Sequence, residues 1–364
     1  ERVDHILTKQ IFGIGITRLT SLLARRSLYC SKHADGEHSV ASSFHNEQGN
    51  IWFERTDHTW IGSSKWIEAT DGQGNVIKKF SEAKDGRCEF CGAPRAIFDR
   101  DPEMENHAYA FLHTRDIKSR ISEMFGDTMQ FDVVIGNPPY QMKGGAGGSS
   151  DSSIYHLFVE QALNLDARFV CMVVPSRWLA GGRGMDEFRE MMLKDGHVSH
   201  LVDYTKMSTA FPGVDFEGGV GYFLYDSKHS GKCEYTLFQG DKEFPTVTRD
   251  LSAHDIFVRD HFAAQILDKI LSKNETSVAE ILTNREPFKM ESNFRGFHAS
   301  PKPDDVAIYY TDKGKRGIGY MSRYEIKKNQ HLIEKWKVLV PKAYGERGAI
   351  PAMVLGRPII APPE

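Results

Sequence analysis

Between residues 128 and 228 the apolar positions switch repeatedly between two periods. Phe131-Asp132-Val133-Val134-Ile135, closed by Gly136, is a short β-branched run of the kind that forms a strand buried on both faces of a parallel sheet. A Gly/Ser-rich loop follows from Lys143 to Ser153, and then Tyr155, Phe158, Val159, Ala162 and Leu163 fall on one face of a helix. Phe169-Val170-Cys171-Met172-Val173-Val174 repeats the strand pattern and stops at Pro175. Met185, Phe188 and Met192 line a second helix, and Leu201-Val202-Asp203-Tyr204 and Gly219-Val220-Gly221-Tyr222-Phe223-Leu224 supply two more strands. This alternation predicts an α/β fold with a doubly wound, Rossmann-like sheet and ligands held at the carboxyl ends of its strands. On either side the pattern weakens, which predicts four regions: 1–29, a turn-rich polar segment 30–100, the α/β region 101–228, and 229–364.

Composition narrows the class. With 364 residues, 40% hydrophobic and 26% charged, the chain buries one good core and carries a second region. No run of about 18 apolar residues occurs, and charges stand where a signal peptide needs its apolar stretch, so neither membrane insertion nor secretion is expected. Five cysteines, an odd number with one C-x-x-C pair, fit a reducing compartment, and we expect the cytoplasm. The net charge of −3 does not point to nucleic acid, so that case rests on local charge. The chain opens on Glu1 rather than Met and closes on Pro362-Pro363-Glu364, which we read as part of a longer protein.

The chemistry lies directly after the first strand, in Asn137-Pro138-Pro139-Tyr140. An amino nitrogen conjugated to a ring or carbonyl is a poor nucleophile because its lone pair is delocalised, and it needs hydrogen-bond acceptors rather than a strong base. The Asn137 side-chain oxygen and a backbone carbonyl of the Pro-Pro segment accept from the two amino protons and push the nitrogen towards tetrahedral geometry. Consecutive prolines fix φ and pre-aim those acceptors. Tyr140 offers a face for an unstacked base, offsetting an extrusion cost of roughly a few kcal/mol. The bland reading is an ordinary Pro- and Asn-rich turn.

With these residues in place, the chain resembles the N6-adenine DNA methyltransferases of restriction-modification systems, in the class whose recognition region follows the catalytic region. Three matches carry the resemblance in the family's order: Phe131 to Gln141; Pro175-Ser176-Arg177-Trp178; and Phe211-Pro212-Gly213-Val214 with Gly218-Gly219-Val220. It implies a doubly wound methyltransferase sheet and S-adenosylmethionine as methyl donor. It also implies catalytic roles for Asn137, Pro138, Pro139 and Tyr140, and an adenine pocket including Phe211, Gly219 and Val220. Asp132 is taken as a cofactor-side residue.

The family's glycine-rich cofactor loop is not found. Ile11-Phe12-Gly13-Ile14-Gly15-Ile16 offers Gly13 and Gly15 as cofactor-binding candidates, but its setting before Leu19, Leu22 and Leu23 resembles the family's second strand and following helix, with Gly15 where an acidic residue belongs. Either the loop lies upstream, making 1–29 the remnant of a cofactor-binding half, or this copy does not bind the cofactor. In the segment 30–100, Cys30-Ser31-Lys32-His33 and Cys88-Glu89-Phe90-Cys91 suggest a small zinc-binding insertion with Cys30, His33, Cys88 and Cys91 as ligands, His58 being the alternative to His33.

From Lys313 to Arg347 ten basic residues stand against three acids, with Tyr320, Tyr324, Trp336 and Tyr344 interleaved. Cations neutralise phosphates and aromatics stack, so Lys313, Lys315, Arg316, Arg323, Lys327, Lys328, Lys335 and Lys337 are candidate contacts to double-stranded DNA. A restriction endonuclease domain or subunit is an expected partner. Two other functions fit parts of the sequence: a glutamine-amide protein methyltransferase, whose amide nitrogen poses the same chemical problem, and a non-catalytic fragment that binds DNA or a partner.

Overall fold

The computed structural model describes residues 1–364 apart from 55, 62–64, 71–75, 82–85, 96–108, 127–128, 143–151, 181–183, 215–217, 278–279, 281, 283–286, 291–293, 313–314, 340–353 and 357–364. It divides into two compact units, 1–266 and 267–364.

The first unit begins with α1 (Arg2–Lys9), β1 (Gly13–Ile14), α2 (Arg18–Tyr29) and β2 (Ile51–Trp52). Thr17 starts α2 through a capping box with Thr20, which satisfies amides the helix itself cannot pair. β1 and β2 pair in parallel, and strand then helix is the reading given above for residues 11–23. Gly15 packs under α2 so closely that an added Cβ would stand 2.6 Å from Ser21 Oγ, so this glycine is explained by packing. Next come β3 (Trp60–Ile61), the β4–β5 hairpin (Lys65–Thr70, Val76–Ser81) and β6 (Arg87–Cys88), which pairs with β3, followed by α3 (Tyr109–Leu112) and α4 (Ile117–Phe125).

The central sheet then forms from β7 (Val133–Gly136), β10 (Phe169–Pro175), β11 (Val198–Tyr204), β12 (Val220–Asp226), β13 (Cys233–Gln239), β14 (Lys242–Glu243) and β15 (Val247–Arg249). A short hairpin, β8 (Gln141–Met142) with β9 (Ser152–Ser153), and α5 (Tyr155–Leu163) lie between β7 and β10, α6 (Asp186–Lys194) between β10 and β11, and α7 (Met207–Ala210) between β11 and β12. The sheet has seven strands in the order β14-β13-β11-β12-β10-β7, with β15 also on β13. It is mixed: β7 with β10 and β11 with β13 are parallel, while β12 runs antiparallel to both β10 and β11. The carboxyl ends of β7, β10, β11 and β13 therefore share one edge.

One sheet face is core. Val170, Met172, Val174, Leu201, Phe223 and Tyr235 pack against Tyr155, Val159 and Ala162 of α5 and Phe188 and Met192 of α6. Each large apolar side chain buried this way contributes roughly 1.5–3 kcal/mol. The expectation that Val133 to Ile135 is buried on both faces is corrected: Val133 is 53% and Ile135 77% exposed, while only Val134 faces the core. β7 is the outermost strand of this sheet among the described residues, and the helices cover only the Val134 side there.

A region boundary at 228/229 is also corrected. β13 pairs in register with β11 from His200–Glu234 to Tyr204–Phe238, so the chain beyond Asp226 still completes the first unit's sheet. The second unit contains the β16–β17 hairpin (Asp305–Asp312, Lys315–Ser322), β18 (Lys337–Leu339) paired with β19 (Val354–Gly356), and a core of Phe288, Met290, Val306, Ile308, Met321, Ile326 and Ile333. Among the described residues no helix is long and apolar enough to cross a membrane.

Candidate functional site

At the shared edge, β7 ends where Gly136 pairs with Met172, and the chain turns into Asn137-Pro138-Pro139-Tyr140. Pro138 is buried, anchoring the turn, while Asn137 is exposed and its amide makes no hydrogen bond among the described residues. Tyr140 is half-buried, and burial pushes its phenol up to about 12, so the ring is neutral at physiological pH. The Tyr140 carbonyl accepts from the Ile154 N–H at 3.2 Å, and Gln141 and Met142 pair with Ser153 and Ser152. Tyr140 is therefore the root of the β8–β9 hairpin.

Two strands along the same edge, β12 starts at Val220, which pairs with both Pro175 and Tyr204. Gly219 sits at φ +77, and an added Cβ would lie 2.0 Å from the Tyr204 carbonyl oxygen, so this position takes glycine only. Its carbonyl accepts from the Ser176 N–H at 3.1 Å, which ties Pro175-Ser176-Arg177-Trp178 to Gly218-Gly219-Val220. Phe211 closes α7 and is half-buried. The three sequence matches thus converge on one sheet edge, with β10 between Asn137 and Gly219.

Beneath this edge lies a group that sequence reasoning missed. Asp203 is fully buried and accepts from Ser176 Oγ (2.6 Å), Tyr235 Oη (3.0 Å) and the Arg259 guanidinium in a two-pronged pair (2.6 and 2.7 Å). Arg259 also donates to the Gly218 carbonyl at 2.9 Å. One buried carboxylate therefore fixes the ends of β10 and β11 and the turn into β12. An aspartate inside the apolar run Leu201 to Tyr204 signals a partner, because an unpaired buried charge is costly; nothing in the sequence marks Arg259 as that partner.

The cofactor-side candidates are placed elsewhere. The Gly13 and Gly15 amides donate to the Asn50 and Trp52 carbonyls at 2.9 Å each, so as part of a β-pairing they do not form an open glycine cradle. Asp132 stands at the amino end of β7, where its carbonyl receives the Phe169 N–H; five residues of extended chain separate it from Asn137 by about 16 Å.

The cysteine pair has a different partner set from the one expected. Sγ of Cys88 and Cys91 and ring nitrogens of His58 and His113 all lie within 4.8 Å of one another. The Cys91 sulfur is 3.4 Å from His58 Nδ1 and 3.4 Å from His113 Nε2, and the Cys88 sulfur is 3.7 Å from His113 Nε2. Bonds of about 2.3 Å to sulfur and 2.05 Å to nitrogen at tetrahedral angles set sulfur and nitrogen about 3.6 Å apart, so these residues fit a zinc tetrahedron. His113 Nδ1 meets the Asp57 carbonyl at 3.1 Å, the outer-shell bond that aims Nε2 at a metal. Cys30 and His33 stand apart from this group: Cys30 ends α2 in the left-handed region, exposed, and His33 faces Glu47 at 3.6 Å. The knuckle is built locally, with Trp60 paired to Cys88 and the Cys88 N–H on the Ala93 carbonyl; His113 follows α3 outside the segment 30–100 and carries no spacing cue.

In the second unit, Lys327, Lys328 and Lys335 are exposed, as are Tyr324 (65%) and Trp336 (67%). Arg323 pairs with Glu334 at 2.5 Å. Lys313 lies outside the described residues, and Lys315, Arg316 and Lys337 are placed by backbone alone.

The acceptor-rich Asn-Pro-Pro-Tyr turn thus stands at the carboxyl edge of an α/β sheet, with a glycine turn across one strand from it. Residues 9–211 match the Eco57I restriction-modification methylase family, and the chain belongs to it. An uncharacterized adenine-specific methylase of Mycoplasma pneumoniae is 27% identical over 313 residues, covering 79% of this chain and 69% of the relative. Among solved structures, a nuclease-deletion mutant of the Type ISP restriction-modification enzyme LlaGI in complex with a DNA substrate mimic aligns with 73% of this chain and 20% of its own, at 12% identity and a TM-score of 0.34. A modification subunit of a putative type I restriction enzyme from Vibrio vulnificus aligns with 43% of this chain and 36% of its own, at 15% identity and a TM-score of 0.25. The chain thus spans about a third or less of these solved chains.

Proposed function

We propose that the chain carries the base-modifying site of an adenine-specific DNA methyltransferase of a restriction-modification system. The observation that supports this most directly is the exposed Asn137 amide beside the buried Pro138 and half-buried Tyr140, at the sheet edge shared with Gly219. In this reading the adenine leaves the duplex and stacks on Tyr140, with Phe211, Gly219 and Val220 walling the pocket. The Asn137 oxygen and the Pro138 carbonyl accept the two amino protons, and the prolines hold both acceptors in place as the nitrogen turns nucleophilic. S-adenosylmethionine supplies the methyl group as a sulfonium. The described residues fit the base half of this site; Gly13 and Gly15 do not fit the cofactor half, and no step is assigned to them.

Two finer elements complete the proposal. His58, Cys88, Cys91 and His113 hold one structural zinc ion, and the exposed lysines and aromatics of the second unit contact double-stranded DNA, with an endonuclease domain or subunit as partner. Labelled methyl transfer to duplex DNA, compared with transfer to protein glutamine, tests the substrate class. Label on glutamine alone would contradict it. Calorimetry with S-adenosylmethionine on the full-length enzyme distinguishes a competent enzyme from a binding fragment.

A further inference from the structure

We infer that the His58, Cys88, Cys91 and His113 centre, holding zinc, positions the catalytic turn. The inference rests on the zinc reading above and adds a coupling to Tyr140. A clip for a peripheral insertion would need no contact with the catalytic segment, yet the two share one apolar cluster. Cys88, Cys91 and Tyr109 pack with Met142, Ile154 and Phe158, all nearly inaccessible to solvent. Tyr109 is the link. Its ring stacks on His113 (4.6 Å, 13° between planes) and meets His58 edge-on at 4.7 Å, and its hydroxyl lies 3.9 Å from the Met142 sulfur.

Met142 stands two residues beyond Tyr140, paired with Ser152, and the Ile154 N–H holds the Tyr140 carbonyl. The path from metal ligand to stacking tyrosine therefore runs His113, Tyr109 and Met142 by packed contacts, and from Met142 to Tyr140 along β8, whose pairing with β9 and the Ile154 N–H hold both residues. A metal bonded to both imidazoles and both thiolates fixes the wall against which the hairpin rests. Without it, the thiol and imidazole groups meet through sulfur–nitrogen contacts of 3.4 to 3.7 Å, weaker than metal bonds, and the rings against which Tyr109 packs are held less firmly. A misplacement of about 1 Å at a catalytic group costs about a hundredfold in rate, so a slack hairpin is expected to lower turnover while leaving the basic DNA-contacting residues untouched.

The test uses the full-length enzyme, purified without chelator, and a duplex carrying 2-aminopurine at the mapped methylation position, whose fluorescence rises when the base is extruded. Elemental analysis is expected to find about one zinc per chain. Stripping the metal should lower kcat about a hundredfold and abolish the fluorescence rise, with the Kd for DNA within about twofold and full recovery on adding zinc. Met142→Ala keeps all four ligands and decides the matter should stripping unfold the protein. It should retain about one zinc, lose at least about tenfold in kcat and reduce the fluorescence rise. Zinc present but kcat and fluorescence unchanged in Met142→Ala overturns the coupling alone; wild-type protein without zinc overturns the zinc reading and the coupling with it.

Discussion

Gly219 and Tyr140 show how much rests on single residues at the sheet edge. Gly219→Ala places a Cβ against the Tyr204 carbonyl at a positive φ, and the turn into β12 has to shift. We expect a loss of about 1–3 kcal/mol in urea unfolding. A base stacked on the Tyr140 ring, as proposed, gains about 1–3 kcal/mol, so Tyr140→Ala should lower kcat/KM about tenfold to a hundredfold while Tyr140→Phe stays near wild type. Because burial pushes the phenol up to about 12, ionisation of this ring contributes no fall in turnover as pH rises to 10. The candidates that the sequence brings forward at this scale are those whose chemistry is local: Asn137 to Tyr140 are four consecutive residues. His113 was illegible because its role comes from a fold contact with Cys88 and Cys91, 25 and 22 residues away.

At the scale of elements, the Asp203–Arg259 pair bolts three strand ends together. Removing the cation leaves a carboxylate that is 0% exposed without its main partner, and Arg259→Ala should cost about 3–5 kcal/mol. Loss of activity should follow, since Ser176 and Gly218 depend on the same pair; unchanged unfolding midpoints would show that the pair is not structural. α5 carries a pH-sensitive contact of its own. Burial holds the His156 imidazole below its ordinary range, beside Tyr155 and Phe188. A folded value below the unfolded one means the contribution to stability is complete above about pH 6.5 and is lost as pH falls through the folded value. His156→Gln should therefore flatten the fall in urea midpoint between pH 7.5 and 5.5. The strands and helices of this sheet were readable from their apolar periods, because burial imposes those periods. Strand direction was not. β12 reads like β10 in sequence, since a strand packed between two others is apolar whichever way it runs, and the mixed sheet emerged only from its register.

For the whole molecule, the Asn-Pro-Pro-Tyr turn belongs to the first unit, and the exposed Tyr324, Lys327, Lys328, Lys335 and Trp336 belong to the second. A boundary after residue 228 falls too early, because β13 and β15 still belong to the first unit's sheet but lack the helices that mark α/β repeats. If Lys327 and Lys328 meet phosphates, the affinity for duplex DNA should fall steeply with salt, and replacing both by Gln should reduce the slope of log K against log salt by about two without altering sequence preference. A slope unaffected by the double change would remove this surface from the DNA contact. The central claim, that Asn137-Pro138-Pro139-Tyr140 methylates an adenine amino group, is tested most directly by nucleoside analysis of duplex DNA incubated with labelled S-adenosylmethionine and either wild-type or Asn137→Ala full-length enzyme. Label in N6-methyladenine is expected with wild type, and a rate at least about a hundredfold lower with Asn137→Ala at nearly unchanged DNA affinity. Label in another base, or near-normal turnover by Asn137→Ala, would contradict it.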